Sequence, residues 1–271
     1  MIITWPLARK DFNMAEFSLP ERSVKPRKRG ITSMIDYGPD TFGWTGGVNG
    51  ISDLLSVAAD YIDYAKIYAM NSLLIPADTL KETVALYRDA GVMPFAGGIS
   101  FEYAWQNNAL DAMQRHLKSV GIHALEVSEN YITLSSEERK RVVGQLQTAG
   151  FGVIYEFGRK NPTEPIALET LASIVLEVQA LGIPRLTIEQ SELDALVAHD
   201  PTALQQLAQA SFFDALVIEA DPYRFPKQHA ELITEFGPHV NLANISPGQV
   251  LRLEGFRQGI GRAVDYSLIR R

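Results

Sequence analysis

From Ile31 onward, short runs rich in β-branched and aromatic residues alternate with longer stretches whose apolar positions recur at helical spacing. The short runs predict strands at 31–38, 61–68, 92–98, 124–128, 152–158, 185–189, 215–221 and 240–244. Helical periodicity predicts helices at 79–90, 103–120, 137–149, 168–181, 202–210 and 227–236, with weaker patterns at 51–59 and 249–258. Ser135 opens a Ser-Ser-Glu-Glu helix start, Asp78 is placed to cap the helix ahead of Glu82, and Gly150 and Gly182-Ile-Pro184 mark helix ends.

Eight strands, each followed by a helix, predict an α/β chain folded as a single (β/α)₈ TIM barrel over residues 31–271. Closure removes both sheet edges, whereas an open doubly wound sheet would leave two to protect. The open sheet also loses its usual support, because neither a Gly-x-Gly-x-x-Gly turn nor a Walker-type phosphate loop is present. Residues 1–30 lack clear periodicity and end in the basic run Lys25-Pro-Arg-Lys-Arg29. They are expected to form an irregular N-terminal arm, either solvated or in contact with phosphate or a neighbouring subunit.

Composition narrows the partners. The chain has 271 residues, 46% of them hydrophobic, with a net charge of −7 and a pI near 5.3. That balance disfavours a nucleic-acid surface but allows a small anionic substrate held by local cations. No apolar run approaches a bilayer span and no secretory leader is evident, so no membrane association and a cytoplasmic protein are expected. With no cysteine, disulfides, thiolate nucleophiles and Cys-ligated metals drop out. Barrels commonly self-associate, which leaves a homo-oligomer open.

One acidic position recurs late in five of the predicted strands: Asp36, Glu126, Glu156, Glu189 and Glu219, with Glu102 just beyond the third strand. In a barrel those strand ends converge on one mouth. Gathered carboxylates repel one another and lose hydration, so they should bind a divalent cation, pair with Lys66, Arg159 or Lys160, or retain protons. All-oxygen donors point to Mg²⁺, with Mn²⁺ as the alternative. Any single acid could instead brace the barrel through an ion pair. Period-two alternation aligns Glu126 with Ser128, and Glu156 with Gly158 and Lys160.

Gly97 and Gly98 could let backbone amides approach an anion, or simply make a turn. Asn241, Asn244 and Ser246 lie where barrels often hold phosphate, although an ordinary capped helix explains them equally. The five histidines are scattered without a His-x-x-x-His pair, and no Gly-x-Ser-x-Gly elbow supports a serine hydrolase.

Asp36-Tyr-Gly38, Asp60-Tyr-Ile-Asp-Tyr-Ala-Lys66, Gly97-Gly98 with Phe101-Glu102, Glu126-Val-Ser128, Glu156-Phe-Gly-Arg-Lys160, Glu219-Ala-Asp-Pro222 and Val240-Asn-Leu-Ala-Asn-Ile245 resemble the ordered motifs of the phosphosulfolactate synthase family. The resemblance spans roughly residues 29–260. It implies a Mg²⁺-dependent barrel lyase that adds sulfite to phosphoenolpyruvate for coenzyme M biosynthesis. It further implies Lys160 as general acid, Lys66 holding substrate charge, and Glu126, Glu156, Glu189 and Glu219 placing the metal. Three departures are visible: Glu189-Gln-Ser-Glu192 lacks the arginine usual there, Met70-Asn-Ser72 replaces a Gly-Thr-Ser, and Asn130 replaces a glycine. The alternatives are a non-catalytic relative, like the heat-stress-associated branch, acting through protein partners, and an aldolase forming a Schiff base at Lys66 or Lys160.

Overall fold

The computed structural model describes residues 18–39 and 46–270. Eight parallel strands pair in chain order and the eighth returns to the first, closing a barrel. The strands are β1 (Thr32–Asp36), β2 (Tyr64–Ile67), β3 (Met93–Ala96), β4 (Ala124–Ser128), β5 (Gly152–Phe157), β6 (Leu186–Ile188), β7 (Leu216–Glu219) and β8 (Leu242–Ile245). Around them lie α1 (Gly47–Ala58), α2 (Asn71–Leu74), α3 (Ala77–Asp89), α4 (Gly98–Gln106), α5 (Leu110–Ser119) and α6 (Ser136–Thr148). The second half carries α7 (Leu168–Ala180), α8 (Gln190–His199), α9 (Ala203–Gln209), α10 (Lys227–Phe236) and α11 (Val250–Arg257). Among the described residues no helix is long and apolar enough to cross a membrane.

Every predicted strand is present. Most are shorter than their apolar runs, because residues at either end leave the ladder for loops. Alternation divides each strand between two environments. Ala65 and Ile67, Leu125 and Val127, Leu186 and Ile188, and Leu216 and Ile218 pack into the core between sheet and helices. The intervening Lys66, Glu126, Thr187, Glu189, Val217 and Glu219 therefore face the barrel axis.

Two expectations about the helices need correction. The single helix predicted at 103–120 is two, α4 and α5, parted at Asn107 and Asn108, where Asn108 adopts a φ of +53°. Apolar spacing continues on both sides of that break and hides it, while asparagine tolerates the left-handed conformation it needs. Asp78 is no cap, because α3 starts at Ala77, two residues before the predicted 79, and Asp78 stands in its first turn, 3.2 Å from Lys81. Ser135 does form a full capping box with Glu138 at the start of α6.

The basic run is not a free tail: Arg27 is buried and Lys25 half-buried, while Lys28 and Arg29 stay exposed. It lies across the N-terminal ends of the strands and is bound there. Arg27 pairs with Asp63 at 3.0 Å, Lys25 donates to Ala59 O at 2.7 Å, and Lys28 O accepts from Arg185 at 2.7 Å. Arg22 makes two 2.8 Å contacts with the carboxylate of Glu254 in α11. The Arg27–Asp63 and Arg22–Glu254 pairs are nearly buried, whereas Arg29–Asp214, at 3.6 Å, is open to water and adds little.

The seam between β8 and β1 is irregular. Thr32 aligns with Leu242 and Met34 with Ile245, so β8 carries one extra residue there. Asn244, at φ +58°, absorbs it, and this bulge re-aims the Asn244 side chain toward β7.

Candidate active site

At the C-terminal end of the barrel, Lys66 of β2 occupies the centre of an acidic cluster. Its Nζ stands 3.0 Å from Glu126 Oε2, 3.0 Å from Glu156 Oε2 and 3.7 Å from Glu219 Oε1. Glu126 and Glu156 are within hydrogen-bond reach of the ammonium, while Glu219 acts on it through charge alone. Glu126 also accepts the Gly98 N–H at 2.9 Å, at the start of α4. Glu156 Oε1 accepts from Asn130 Nδ2 at 2.7 Å, and the same amide group reaches Gly158 O at 3.0 Å.

A second ammonium approaches from the rim. Lys160, in the loop after β5, pairs with Glu189 and lies 3.5 Å from Glu219 Oε2. Its side chain is 31% exposed, against 7% for Lys66, so only Lys160 faces an arriving molecule. Glu219 is held further by the Asn244 amide and by the Gln190 N–H at 3.2 Å.

Charge counting decides what this site can hold. Four buried carboxylates face two ammonium groups, leaving two negative charges in excess if every acid is ionised. Such an excess is unstable away from water. Burial and the neighbouring Glu156 push the Glu126 carboxyl up to about 8. Burial and a hydrogen bond to Glu219 push Glu189 up to about 9. For Glu219 the penalty of burial is outweighed by Lys66, the Glu189 hydrogen bond and Lys160, which bring it down to about 2. Burial would lower both lysines, but the surrounding carboxylates prevail and raise them. Without a metal, retained protons on Glu126 and Glu189 are the way this excess is relieved.

A divalent cation would meet it equally well. Glu156, Glu189 and Glu219 each offer an oxygen, and these atoms all lie within 4.8 Å of one another. Hard oxygen donors with surplus negative charge suit Mg²⁺ or Mn²⁺. Glu126, the fourth acid expected as a ligand, joins the cluster through Lys66 and the Gly98 N–H instead of through that oxygen group.

Residues 20–262 match the family described as (2R)-phospho-3-sulfolactate synthase (ComA). The chain belongs to this family. The phosphosulfolactate synthase of Methanothermobacter thermautotrophicus is 31% identical over 268 residues, covering 92% of this chain and 96% of that relative. That of Methanocaldococcus jannaschii is 31% identical over 244 residues, covering 86% and 92%. The Bacillus subtilis phosphosulfolactate synthase is 26% identical over 257 residues, covering 91% and 97%. As a phosphosulfolactate synthase family member, the protein is an enzyme of the lyase type.

Several family-motif residues expected at the substrate serve the frame instead. The Gly97 N–H donates to Ile67 O at 3.0 Å and the Gly98 N–H to Glu126, so neither amide is left for an anion. Glycine at 98 is demanded by packing, since a Cβ there would sit 2.3 Å from Ser128 Oγ. Ser128 itself donates to Glu102 of α4, which also accepts the N–H groups of Asn130 and Tyr131 at 2.8 and 2.9 Å. Asp36 accepts from Tyr87 Oη of α3 at 2.8 Å and from the Gly38 N–H at 2.9 Å, which turns it toward the helix layer. Asn241 bridges strands by accepting the Ile31 N–H at 3.1 Å and donating to Leu216 O at 2.9 Å, near the N-terminal strand ends. Ser246 is fully buried, its N–H bound to Gln249 Oε1 at 3.2 Å.

Arg159 stays at the exposed rim, with its N–H on the buried Glu192 at 2.7 Å and its guanidinium on Thr133. The segment lacking the family's usual arginine therefore supplies a carboxylate that orders the Gly158-Arg-Lys160 loop. Gly158 adopts φ +127°, and a Cβ there would lie 2.6 Å from Glu192 Cγ. Only glycine permits that approach.

Two residues at the site escape sequence reasoning. Asn130 is legible in hindsight from parity, since it continues the inward series of Glu126 and Ser128. Tyr37 packs its ring 4.7 Å from that of Tyr68 at the mouth. Burial, Tyr68 and the charge of Glu219 raise its hydroxyl above the ordinary tyrosine range.

Proposed function

We propose that the protein is a Mg²⁺-dependent lyase that joins sulfite, or a related nucleophile, to phosphoenolpyruvate or a similar small enol phosphate. The observation that carries this is the group of three oxygens from Glu156, Glu189 and Glu219 beside the half-open ammonium of Lys160. The relatives' name, phosphosulfolactate synthase, supports a reaction whose product carries both a phosphate and a sulfonate. With sulfite, such an enzyme would supply a phosphosulfolactate to coenzyme M biosynthesis.

In the reaction the sulfur lone pair forms a bond to the methylene carbon, and the C=C electron pair moves toward the substrate carboxylate. A proton is then delivered to the neighbouring carbon, which completes the addition. When bound, the divalent ion supplies Lewis-acid stabilisation of the developing carboxylate charge. Glu156, Glu189 and Glu219 would hold it.

The chain's own groups do the rest. Lys160 Nζ, held protonated at the rim, is the group that delivers the proton to carbon. Glu189, paired with that ammonium, orients it. Lys66 is assigned to the acids instead of the substrate, because it is buried and bound to Glu126 and Glu156 at 3.0 Å each. Arg159, on the exposed loop, meets the phosphate or carboxylate of the arriving anion.

A Schiff-base aldolase needs a neutral lysine, and the carboxylates hold both Lys66 and Lys160 in the charged form. Incubation of folded protein with phosphoenolpyruvate, sulfite and Mg²⁺, followed by ³¹P NMR, tests the proposal. Consumption of both substrates to one phosphorylated product is expected. Unchanged spectra with either Mg²⁺ or Mn²⁺ would remove it, and borohydride trapping of a carbonyl substrate would point to the aldolase.

A further inference from the structure

Among the described residues, the opposite end of the barrel is not filled. A cavity of about 180 Å³ lies beneath the acidic cluster. Each of the eight strands lends it at least one residue, from Ser33 on β1 to Ala243 on β8, so it runs along the barrel axis. Its wall is mainly apolar, with Met93, Phe95, Ile154 and Val217 prominent, and Ser33 and Thr187 add hydroxyl groups. Ile154 points inward yet keeps partial exposure, as expected where the axial layer of side chains is incomplete. Glu126 is the only residue shared with the cluster above.

Arg185 stands at the opening, one residue before β6. Its guanidinium donates to Lys28 O at 2.7 Å, and no carboxylate among the described residues pairs with it. A guanidinium has five donors, so several remain for an incoming anion. Tyr64, whose hydroxyl feels the Arg185 charge, lines the same opening. An apolar void of about 150 Å³ is large enough to take up benzene.

We propose that the N-terminal end of the barrel is a second binding site, for a small aromatic or branched aliphatic monocarboxylate. The apolar body fills the axial cavity and the carboxylate pairs with Arg185. Size, apolar lining and one unpaired cation at the opening together specify that class: a dianion would leave charge uncompensated, and a neutral hydrocarbon would leave Arg185 unused. The occupant would rest against the underside of Glu126, opposite the face that meets substrate. This site does not depend on what reaction the upper cluster performs.

Benzoate is a suitable probe on the full-length protein, followed through the ¹³C-methyl signals of Met93, Ile154 and Val217. Saturable shifts confined to these methyls are expected, with benzamide binding about fivefold more weakly for want of the charge. R185Q should bring benzoate down to the benzamide affinity, and V217F, which occupies the cavity, should abolish both. Should V217F not fold, the R185Q comparison decides alone. No methyl shift up to about 10 mM benzoate, equal binding of benzamide, or an R185Q protein that binds benzoate as the parent does would each overturn the proposal.

Discussion

Lys66 Nζ lies 3.0 Å from Glu156 Oε2, deep in the barrel, and each group is intelligible only through the other. The lysine keeps its charge because carboxylates surround it. The carboxylates stay close because the lysine stands between them. Removing it by K66M should leave Glu126 and Glu156 without a cation and destabilise the protein by about 3–5 kcal/mol, the usual cost of unpairing a buried charge. Urea unfolding measures this, and a loss under about 1 kcal/mol would show that the cluster does not depend on Lys66.

Lys160 should behave differently. It is partly exposed and outside the strands, so K160M should cost less stability than K66M while turnover falls by about 10²–10⁴, the range for loss of a general acid. Circular dichroism alongside the ³¹P NMR assay separates the two. Retained turnover would assign the proton to another group.

Stability without metal should depend on pH in a direction set by the cluster. Glu126 and Glu189 have folded values raised to about 8 and 9, above their unfolded value of 4.5. Between those limits the folded state binds more protons than the unfolded state, so stability falls as pH climbs from 4.5 to about 9. Glu219, brought down to about 2, acts oppositely, its contribution being lost as pH drops below 4.5. Because Mg²⁺ must displace the retained protons, its stabilising effect should grow between pH 6 and about 9. Thermal melts with and without Mg²⁺ test this; a Mg²⁺ effect that shrinks with rising pH would contradict the two-proton account.

Asn130 should prove a positioning residue for Glu156. N130A removes a buried hydrogen bond to a charged group and should cost about 1–3 kcal/mol. N130D, which places a fifth carboxylate against Glu156, should cost more and weaken activity further at high pH. Equal stability of the two variants would argue that the amide does not orient Glu156.

Glycine 98 is fixed by crowding, since any side chain would collide with Ser128 and displace the N–H that holds Glu126. G98A should destabilise by about 1–3 kcal/mol, as overpacking does. The double variant G98A/S128G should regain part of that loss, and failure to do so would refute the steric explanation.

The barrel was legible because its strands carry continuous apolar runs and its helices show clear periodicity, and because glycine and proline mark their joins. The acids were legible because Glu126, Glu156, Glu189 and Glu219 recur at one depth on four successive inward-facing tracks. What each partner does was not. Gly97, Gly98, Asn241 and Asp36 carry the same letters whether they meet a ligand or another strand, and only the path of each hydrogen bond tells them apart. Asn108 and Asn244 depend on a single backbone angle that periodicity does not record.

Arg22, Lys25 and Arg27 bind groups that precede β2 and β3 and reach Glu254 in the last helix, from a stretch that looks like a ragged leader. Correspondence with the family likewise begins at residue 20, ahead of the first strand. The working unit therefore starts upstream of β1, and a fragment begun at Ile31 would lose the clasp that joins the barrel's first turn to its last.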